Sequence, residues 1–399
     1  MIKIKGGVTT PKDFRAAGIN CGIKRRKRDI GLIVSDVPAV ACGMFTQNRV
    51  KAAPIIVSKE HLTKTIAQAV IVNSGNANCC TGSKGLKDAY LMTELTAKAL
   101  NIPKEDVLVA STGIIGKQLP MKKIEAAIPQ LAQNLSREEG HHVAEAILTT
   151  DKVVKEIAFK IRIKGKDVSI GAIAKGAGMV HPNMATMLCF ITTDVYITRR
   201  ALKLALTEAV ERSFNAISVD GDMSTNDAVI ALANGSAGND LLDKRDKDFP
   251  VFCKVVNEIT EYLAKALVKD GEGATKFVRI NINNAKTIEG AKRIARRLAT
   301  SMLFKTALYG QDPNWGRIAA SVGSSGVIFN PDKLDIYLGK TKVVKGGSNY
   351  VKDKVALRRL FKHKDIDVTV DLNAGSKDYH MWTCDLSSDY VRINANYST

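Results

Sequence analysis

Residues 175–193 read KGAGMVHPNMATMLCFITT, and this stretch decides the fold. At its centre a small residue precedes a hydroxyl residue, Ala185-Thr186. Turn formers lie before them, Gly176-Ala177-Gly178 and His181-Pro182-Asn183. An apolar run follows, Met187 to Ile191, and reads as a buried strand. A threonine opening a buried strand has its oxygen held in one place, and a tight turn before it leaves the preceding carbonyl open to attack. Attack by Thr186 on the Ala185 carbonyl would turn the peptide bond into an ester. Hydrolysis would then free a chain that starts with a hydroxyl nucleophile and carries its own α-amino group as base. The same residues also read as an ordinary loop leading into a core strand.

Composition narrows the field. A chain of 399 residues, 45% apolar, suggests two or three compact units. No N-terminal stretch pairs a charged start with an apolar centre and a small-residue cleavage site, so secretion is not expected. The longest apolar runs are strand-sized, which argues against a membrane partner. Seven cysteines without a CxxC pair, and six histidines without ligand spacing, point to a reduced, cytoplasmic protein with no metal. The net charge of +19 raises the question of nucleic acid. Basic residues are spread along the chain, however, and 6% aromatic residues are few for base stacking. Solvated basic faces, with no nucleic-acid partner, are the expectation. Small anionic substrates would feel the same field.

The pattern is mixed α and β. Strand-like runs cover 69–72, 107–110, 168–174, 187–192, 277–282 and 366–372. Helical patterns cover 121–135, with Pro129 a possible point of interruption, 137–148, 199–213, 251–268 and 288–303, with Ser136 and Thr198 as candidate N-caps. Strands come in groups rather than alternating singly with helices. That predicts helices packed on stacked sheets, an α+β layered architecture rather than a doubly wound one.

Other stretches carry glycine and hydroxyl chemistry. In Ser111-Thr112-Gly113-Ile114-Ile115-Gly116, a backbone N–H and the Thr112 hydroxyl can together stabilise an oxyanion, commonly a large term in acyl transfer. A turn that merely ends the strand is the plain reading. The loop 73–78, NSGNAN, has the same character more weakly. In Asp270-Gly271-Glu272-Gly273, two glycines allow close backbone approach while Glu272 presents a carboxylate. The turn 311–317, QDPNWGR, fits a structural role and a pocket wall equally. The polar C-terminus, 385–399, alternates Tyr390 and Arg392 with Val391 and Ile393, which suggests a tail that is tied down rather than frayed.

Taken together these stretches resemble the ornithine acetyltransferase family, also called glutamate N-acetyltransferase, of arginine biosynthesis. The resemblance runs from Gly6-Gly7-Val8-Thr9 to the Asn394–Thr399 tail. Its most specific pieces are KGAGMVHPNMATML, STGIIG, DGEGATK, GQDPNWGRI and DLSSDYVRINANYST.

That resemblance implies a precursor that cuts itself between Ala185 and Thr186. The products are an α chain, 1–185, and a β chain, 186–399, intertwined in one fold and assembled as a heterotetramer of two of each. It implies an Ntn-hydrolase-like αββα sandwich, like that of a family of self-cleaving aminopeptidases, with a smaller C-terminal α/β region. The reaction it implies is a double displacement. Thr186 takes the acetyl group from N2-acetylornithine, releases ornithine, and passes the acetyl to glutamate. No cofactor is implied, and acetyl-CoA stays open as a co-substrate.

The implied oxyanion donors are Thr112 and Gly113. The implied substrate contacts are Thr149, Lys175, Thr186, Glu272, Asn394 and Thr399, with Thr150 an alternative to Thr149. Residue chemistry agrees. A free α-amino group, with an unperturbed pKa of ~7.7–8.0, is a better base near neutrality than an ordinary lysine at ~10.4. Lys175 suits the substrates' α-carboxylates, and Glu272 suits ornithine's δ-ammonium. Two other readings share much of this evidence: an aminopeptidase on the same fold and a homologue that folds without cutting. A basic nucleic-acid-binding protein is the third.

Overall fold

In the computed structural model, which describes residues 1–181 and 187–396, the strands run in chain order as follows. The first five are β1 (Ile2–Ile4), β2 (Phe14–Ile19), β3 (Ile30–Phe45), β4 (Ile66–Asn76) and β5 (Val107–Ile114). Next come β6 (Lys155–Ile163), β7 (Lys166–Lys175), β8 (Leu188–Thr193), β9 (Ile217–Ser218) and β10 (Ala228–Ala233). A later group comprises β11 (Phe277–Ala285), β12 (Asp335–Leu338), β13 (Thr341–Lys345), β14 (Ser348–Asn349), β15 (Asp365–Asp371) and β16 (Lys377–Cys384).

One sheet has nine strands in the order β1-β6-β7-β8-β10-β3-β4-β5, with β2 also paired to β3. Strand β3 belongs to two halves of this sheet. Its first part pairs with β2 and β4, and its last part, Val40–Phe45, pairs with β10. Between them the register shifts at 34–39, where Asp36, Val37 and Pro38 are exposed. Proline cannot donate to a ladder, so a bulge is where it is tolerated.

The two halves face each other. Ile33, Val70, Val72 and Leu108 from one half meet Ile173, Leu188, Phe190 and Ile230 from the other. The alternate residues, Ala69, Ile71, Val107 and Val109, turn outward onto the helices Gly82–Leu100 and Met121–Gln133. On the far side Ala172, Cys189, Ile191 and Val229 pack against the helices Arg199–Arg212 and Phe249–Lys269. Because strand side chains alternate between faces, a strand buried on both sides serves two cores. The layering is therefore helix, sheet, sheet, helix, the αββα sandwich expected. Each fully buried Ile, Leu or Phe contributes roughly 1.5–3 kcal/mol.

The C-terminal α/β region is a separate seven-stranded sheet, in the order β14-β13-β12-β15-β11-β16-β9. Val278, Ile280 and Ile282 of β11 are buried and Arg279 is exposed, the alternation the sequence predicts. They pack with helix Ile288–Ala299, in a core of their own. Trp382 and Cys384 of β16 instead join the core of the large sandwich, so the two sheets are in direct contact.

Several boundaries differ from expectation. The helix expected over 137–148 spans only Gly140–Ala146, and Ser136 is not its cap. Ser136 instead exchanges backbone hydrogen bonds with Ala16, which holds it extended. The pattern 288–303 divides into Ile288–Ala299 and Met302–Tyr309, because the Ser301 side chain accepts from Phe304 N–H and starts a new helix. Thr198 caps its helix as predicted, accepting from Ala201 N–H. Pro129 lies inside a continuous helix, Met121–Gln133. The tail forms a helix, Ser388–Asn396, and is tied down as expected through Asn394 and Tyr390.

Candidate active site

Parallel pairing of β4 and β5 sets Ser74 beside Thr112 and Gly75 beside Gly113. The strand thus continues through Ser111-Thr112-Gly113 and does not turn at Ala110, as the plain reading had it. Gly113 has φ +132°, and a Cβ there would come 2.4 Å from the Gly75 carbonyl carbon. Only glycine fits both the dihedral and the close approach.

The loop at 73–78 braces this corner. Ser111 Oγ donates to Asn73 Oδ1 at 2.6 Å, and Asn73 Nδ2 donates to the Asn76 carbonyl at 2.9 Å. From another segment, Asn226 Nδ2 donates to the carbonyls of Ala77 (2.6 Å) and Ser111 (2.8 Å). Cys79 sits buried beside it, and burial raises its thiol pKa, which suits no thiol chemistry there.

Lys175 ends β7 and is buried. Its Nζ donates to Thr112 Oγ1 at 3.0 Å. Behind it stands a chain of buried charges. Lys155 Nζ donates to Asp151 Oδ1 (2.8 Å) and to Asp270 Oδ2 (2.5 Å), and Asp151 Oδ1 also accepts from Gly176 N–H (2.7 Å). Burial lowers the Lys175 pKa, and the Lys155 charge lowers it further against the pull of Asp151. Asp151 is held below the usual carboxylate range: its burial works the other way, but Lys175 and Lys155 together outweigh it.

The turn after helix Phe249–Lys269 supplies the acidic side. Glu272 N–H donates to the Ala177 carbonyl at 2.8 Å, which ties the turn to the glycine loop at 176–178. A Cβ on Gly178 would fall 2.5 Å from the Glu272 carboxyl, so a side chain there would displace it. Asn394 Nδ2 donates to Glu272 Oε2 at 2.8 Å. One turn earlier on that helix, Tyr390 OH donates to Asp220 Oδ2 at 3.3 Å. Asp220 also accepts from Met179 N–H (2.6 Å) and Val180 N–H (2.9 Å). Burial nevertheless pushes its carboxyl up to about 6.

These groups share one cleft of about 340 Å³. Thr112, Gly113, Thr149, Lys175, Glu272 and Asn394 all line it, so six of the expected residues converge there. Thr150 lines it beside Thr149, and the placement does not separate the two. Ala185, Thr186 and Thr399 lie outside the described residues. The turn 311–317 does not reach this cleft. Asn314 caps the helix Trp315–Gly323, and Arg317 Nη1 donates to the Leu303 carbonyl at 2.8 Å, so its role is structural.

Sequence reasoning missed Asp220, Asp222, Tyr390 and the segment 223–226, all of which line the cleft. The signal was present in DGDMSTND at 220–227, a polar stretch between two apolar runs.

A glycine-shaped corner at Thr112-Gly113, a buried lysine against its hydroxyl and an amide-bridged carboxylate, around one cleft in an αββα sandwich, fit an enzyme of the acyl-transfer class. The comparisons with known proteins agree. The model of the ArgJ family matches residues 15–399. The arginine biosynthesis bifunctional protein ArgJ of Caldanaerobacter subterraneus is 46% identical over 400 residues, covering 99% of each chain. That of Thermotoga neapolitana is 46% identical over 395 residues, covering 98% of this chain and 99% of its own. A crystal structure of ornithine acetyltransferase complexed with ornithine, from Mycobacterium tuberculosis, is 38% identical. It covers 45% of this chain and 97% of its own, with a TM-score of 0.43. The chain belongs to the ArgJ family, and it is an acetyltransferase of arginine biosynthesis.

Proposed function

We propose that this enzyme cuts itself between Ala185 and Thr186 and then moves an acetyl group from N2-acetylornithine to glutamate through an acetyl ester on Thr186. The observation that carries the reading is the convergence of Thr112, Gly113, Lys175, Glu272 and Asn394 on one cleft. Met187, the residue after Thr186, begins the approach to β8, and its neighbour Leu188 pairs with Lys175.

In the first half-reaction Thr186 Oγ attacks the acetamide carbon while its α-amino group takes the hydroxyl proton. Thr112 Oγ1 and Gly113 N–H face the developing oxyanion, and the amine returns the proton to the leaving nitrogen of ornithine. Lys175 attracts the α-carboxylate, with Thr149 or Thr150 beside it. Glu272, oriented by Asn394, meets the δ-ammonium, and Thr399 is the remaining substrate contact in this reading. Glutamate then enters and its amine takes the acetyl group.

The same reading makes residues 1–185 and 186–399 the mature α and β chains, assembled as two of each in the cytoplasm. The chemistry needs no metal or cofactor, acetyl-CoA entering only as a second acetyl donor. No nucleic-acid or membrane partner is part of it. Among the described residues no helix is long and apolar enough to cross a membrane.

Intact mass spectrometry with and without acetylornithine tests this. The expected result is two fragments meeting at 185/186, with about 42 Da added to the second after acetyl transfer. A single full-length mass that releases no ornithine when mixed with acetylornithine and glutamate would falsify it. Two fragments that hydrolyse peptides and leave acetylornithine untouched would favour the aminopeptidase.

A further inference from the structure

The two amino acids of the proposed reaction set the cleft a charge problem. Ornithine and glutamate have carbon chains of equal length, so tails held by the same α-carboxylate and α-nitrogen end in the same place. One tail is an ammonium and the other a carboxylate. Among the described residues that line the cleft, Asp220, Asp222 and Glu272 are acidic and Lys175 is the single cation. Such a wall suits an ammonium tail. A carboxylate tail brought against it is repelled unless the wall gives up a charge.

The partners of Asp220 allow it to do so. Its Oδ1 accepts from Val180 N–H (2.9 Å) and Asp222 N–H (3.3 Å), and its Oδ2 accepts from Met179 N–H (2.6 Å). A backbone N–H can only donate. The Tyr390 hydroxyl, 3.3 Å from Oδ2, can donate or accept. A proton placed on Oδ2 therefore has an acceptor at hand. Once the Tyr390 oxygen accepts it, the tyrosine's own hydrogen is free to turn into the cleft, which Tyr390 also lines. Glu272 lacks this freedom. Asn394 Nδ2 donates both to Glu272 Oε2 (2.8 Å) and to the Tyr390 carbonyl (3.1 Å), which fixes the amide as a donor.

The electrostatics agree with the geometry. Burial raises the Asp220 carboxyl to about 6 against the Met179, Asp222 and Val180 N–H groups, and the Asp222 charge on its own turn adds to the rise. Burial also raises the Tyr390 hydroxyl, and the carboxylates of Asp220, Glu272 and Asp222 raise it further, so the phenol keeps its hydrogen. From the other sheet, the Cys384 thiol of β16 lies within reach of the Asp220 charge and is itself raised by burial. His181, on the neighbouring loop, turns its Nδ1 to Ser218 Oγ at 3.2 Å instead.

We propose that Asp220 and Tyr390 are a specificity-determining pair that matches the charge of the wall to the tail in front of it. With an ammonium tail bound, Asp220 is ionised and accepts the Tyr390 hydrogen. With a carboxylate tail bound, Asp220 takes one proton from solvent and donates it to the Tyr390 oxygen, and Tyr390 donates its own hydrogen to the tail. The proton returns to solvent when the tail leaves, and no covalent bond changes. This rests on the reading that one cleft takes the acetyl group from acetylornithine and gives it to glutamate.

Acetylornithine and N-acetylglutamate, used in turn as acetyl donors for the forward and reverse transfers, differ only in the tail. The ratio of their KM values, acetylglutamate over acetylornithine, therefore isolates the wall from the shared acetyl chemistry. Above about pH 6 the free cleft holds Asp220 ionised, and a carboxylate tail must bring a proton in. In wild type the ratio should rise at least about fivefold from about pH 6 to about pH 8. Asp220→Asn keeps the shape without the charge, so its ratio should be flat with pH and at least about tenfold below wild type near pH 8. Tyr390→Phe removes the hydrogen offered to the carboxylate and should raise the ratio about tenfold. A merely structural pair would worsen both donors alike. A wild-type ratio that does not rise with pH, or folded variants that leave the ratio unmoved, overturns the proposal and leaves the acetyl-transfer reading intact. The wild-type profile decides alone if a variant does not fold. A wild type that releases no ornithine from acetylornithine and glutamate overturns the underlying reading and the proposal with it.

Discussion

Asn394 donates to Glu272 Oε2 at 2.8 Å across a sequence separation of 122 residues. This bond fastens the last helix to the turn after helix Phe249–Lys269, so the end of the chain forms one wall of the cleft. Tyr390 reinforces it, for the Ser387 hydroxyl both accepts from Tyr390 N–H (3.3 Å) and donates to the Gly273 carbonyl (2.6 Å).

Glu272→Gln keeps the shape of the side chain and removes its charge. Cutting should proceed as in wild type, because the change lies on the substrate's ammonium side. The loss of a charge-assisted hydrogen bond, about 1.5–3 kcal/mol, corresponds to a rise of roughly 10- to 150-fold in KM for acetylornithine. Steady-state kinetics with a denaturing gel read both.

Thr186→Ala removes the nucleophile. One full-length band and no measurable acetyl transfer are expected, with thermal stability close to that of an uncut wild-type chain. Acetyl transfer by the variant would end the proposed mechanism.

Gly113→Ala forces a Cβ against the Gly75 backbone at a dihedral that alanine avoids. The oxyanion corner should open, and kcat should fall by about 10²–10³, the usual effect of losing one oxyanion donor. Thr112→Val provides the companion measurement, since it removes the hydroxyl without moving the backbone.

Lys155→Met leaves Asp151 and Asp270 facing each other in the interior without the cation that joins them. Removing one partner from a buried ionic cluster costs about 3–5 kcal/mol. The urea midpoint should fall accordingly, and the Lys175 environment should be disturbed along with it.

Asp220 titrates near 6 in the folded chain against 3.8 unfolded. Between those values the folded state holds the extra proton, so this group's contribution to stability declines as pH rises from about 4 to 6. Asp220→Asn lacks that titration. The difference in melting temperature, wild type minus variant, should therefore become less favourable to wild type across that window. A constant difference would show that Asp220 does not titrate there.

Much of the site was legible before any coordinates because its chemistry is local. Thr112-Gly113 needs two adjacent residue types, and Asp270-Gly271-Glu272-Gly273 announces a turn with a carboxylate. The misread helix boundaries have a tertiary cause. Ser136 has the composition of a cap, but pairing with Ala16 across the chain satisfied its backbone first. The tail's composition suggested a segment that is tied down, and a helix achieves this, satisfying its backbone internally while presenting Tyr390 and Asn394 on one face.

By itself the sequence determined the layered class, the β11 alternation, the nucleophile candidate and the glycine-flanked Thr112 and Glu272 of the cleft. Those follow from local periodicity and from residue chemistry, which act over a few positions. Only the tertiary structure decided that β3 would serve both halves of one curled sheet, that Lys155 would join Asp151 to Asp270, and that Tyr390 would meet Asp220. Such contacts join residues tens to hundreds of positions apart. Their formation depends on how buried surface and backbone pairing are shared across the whole chain, which no short window encodes.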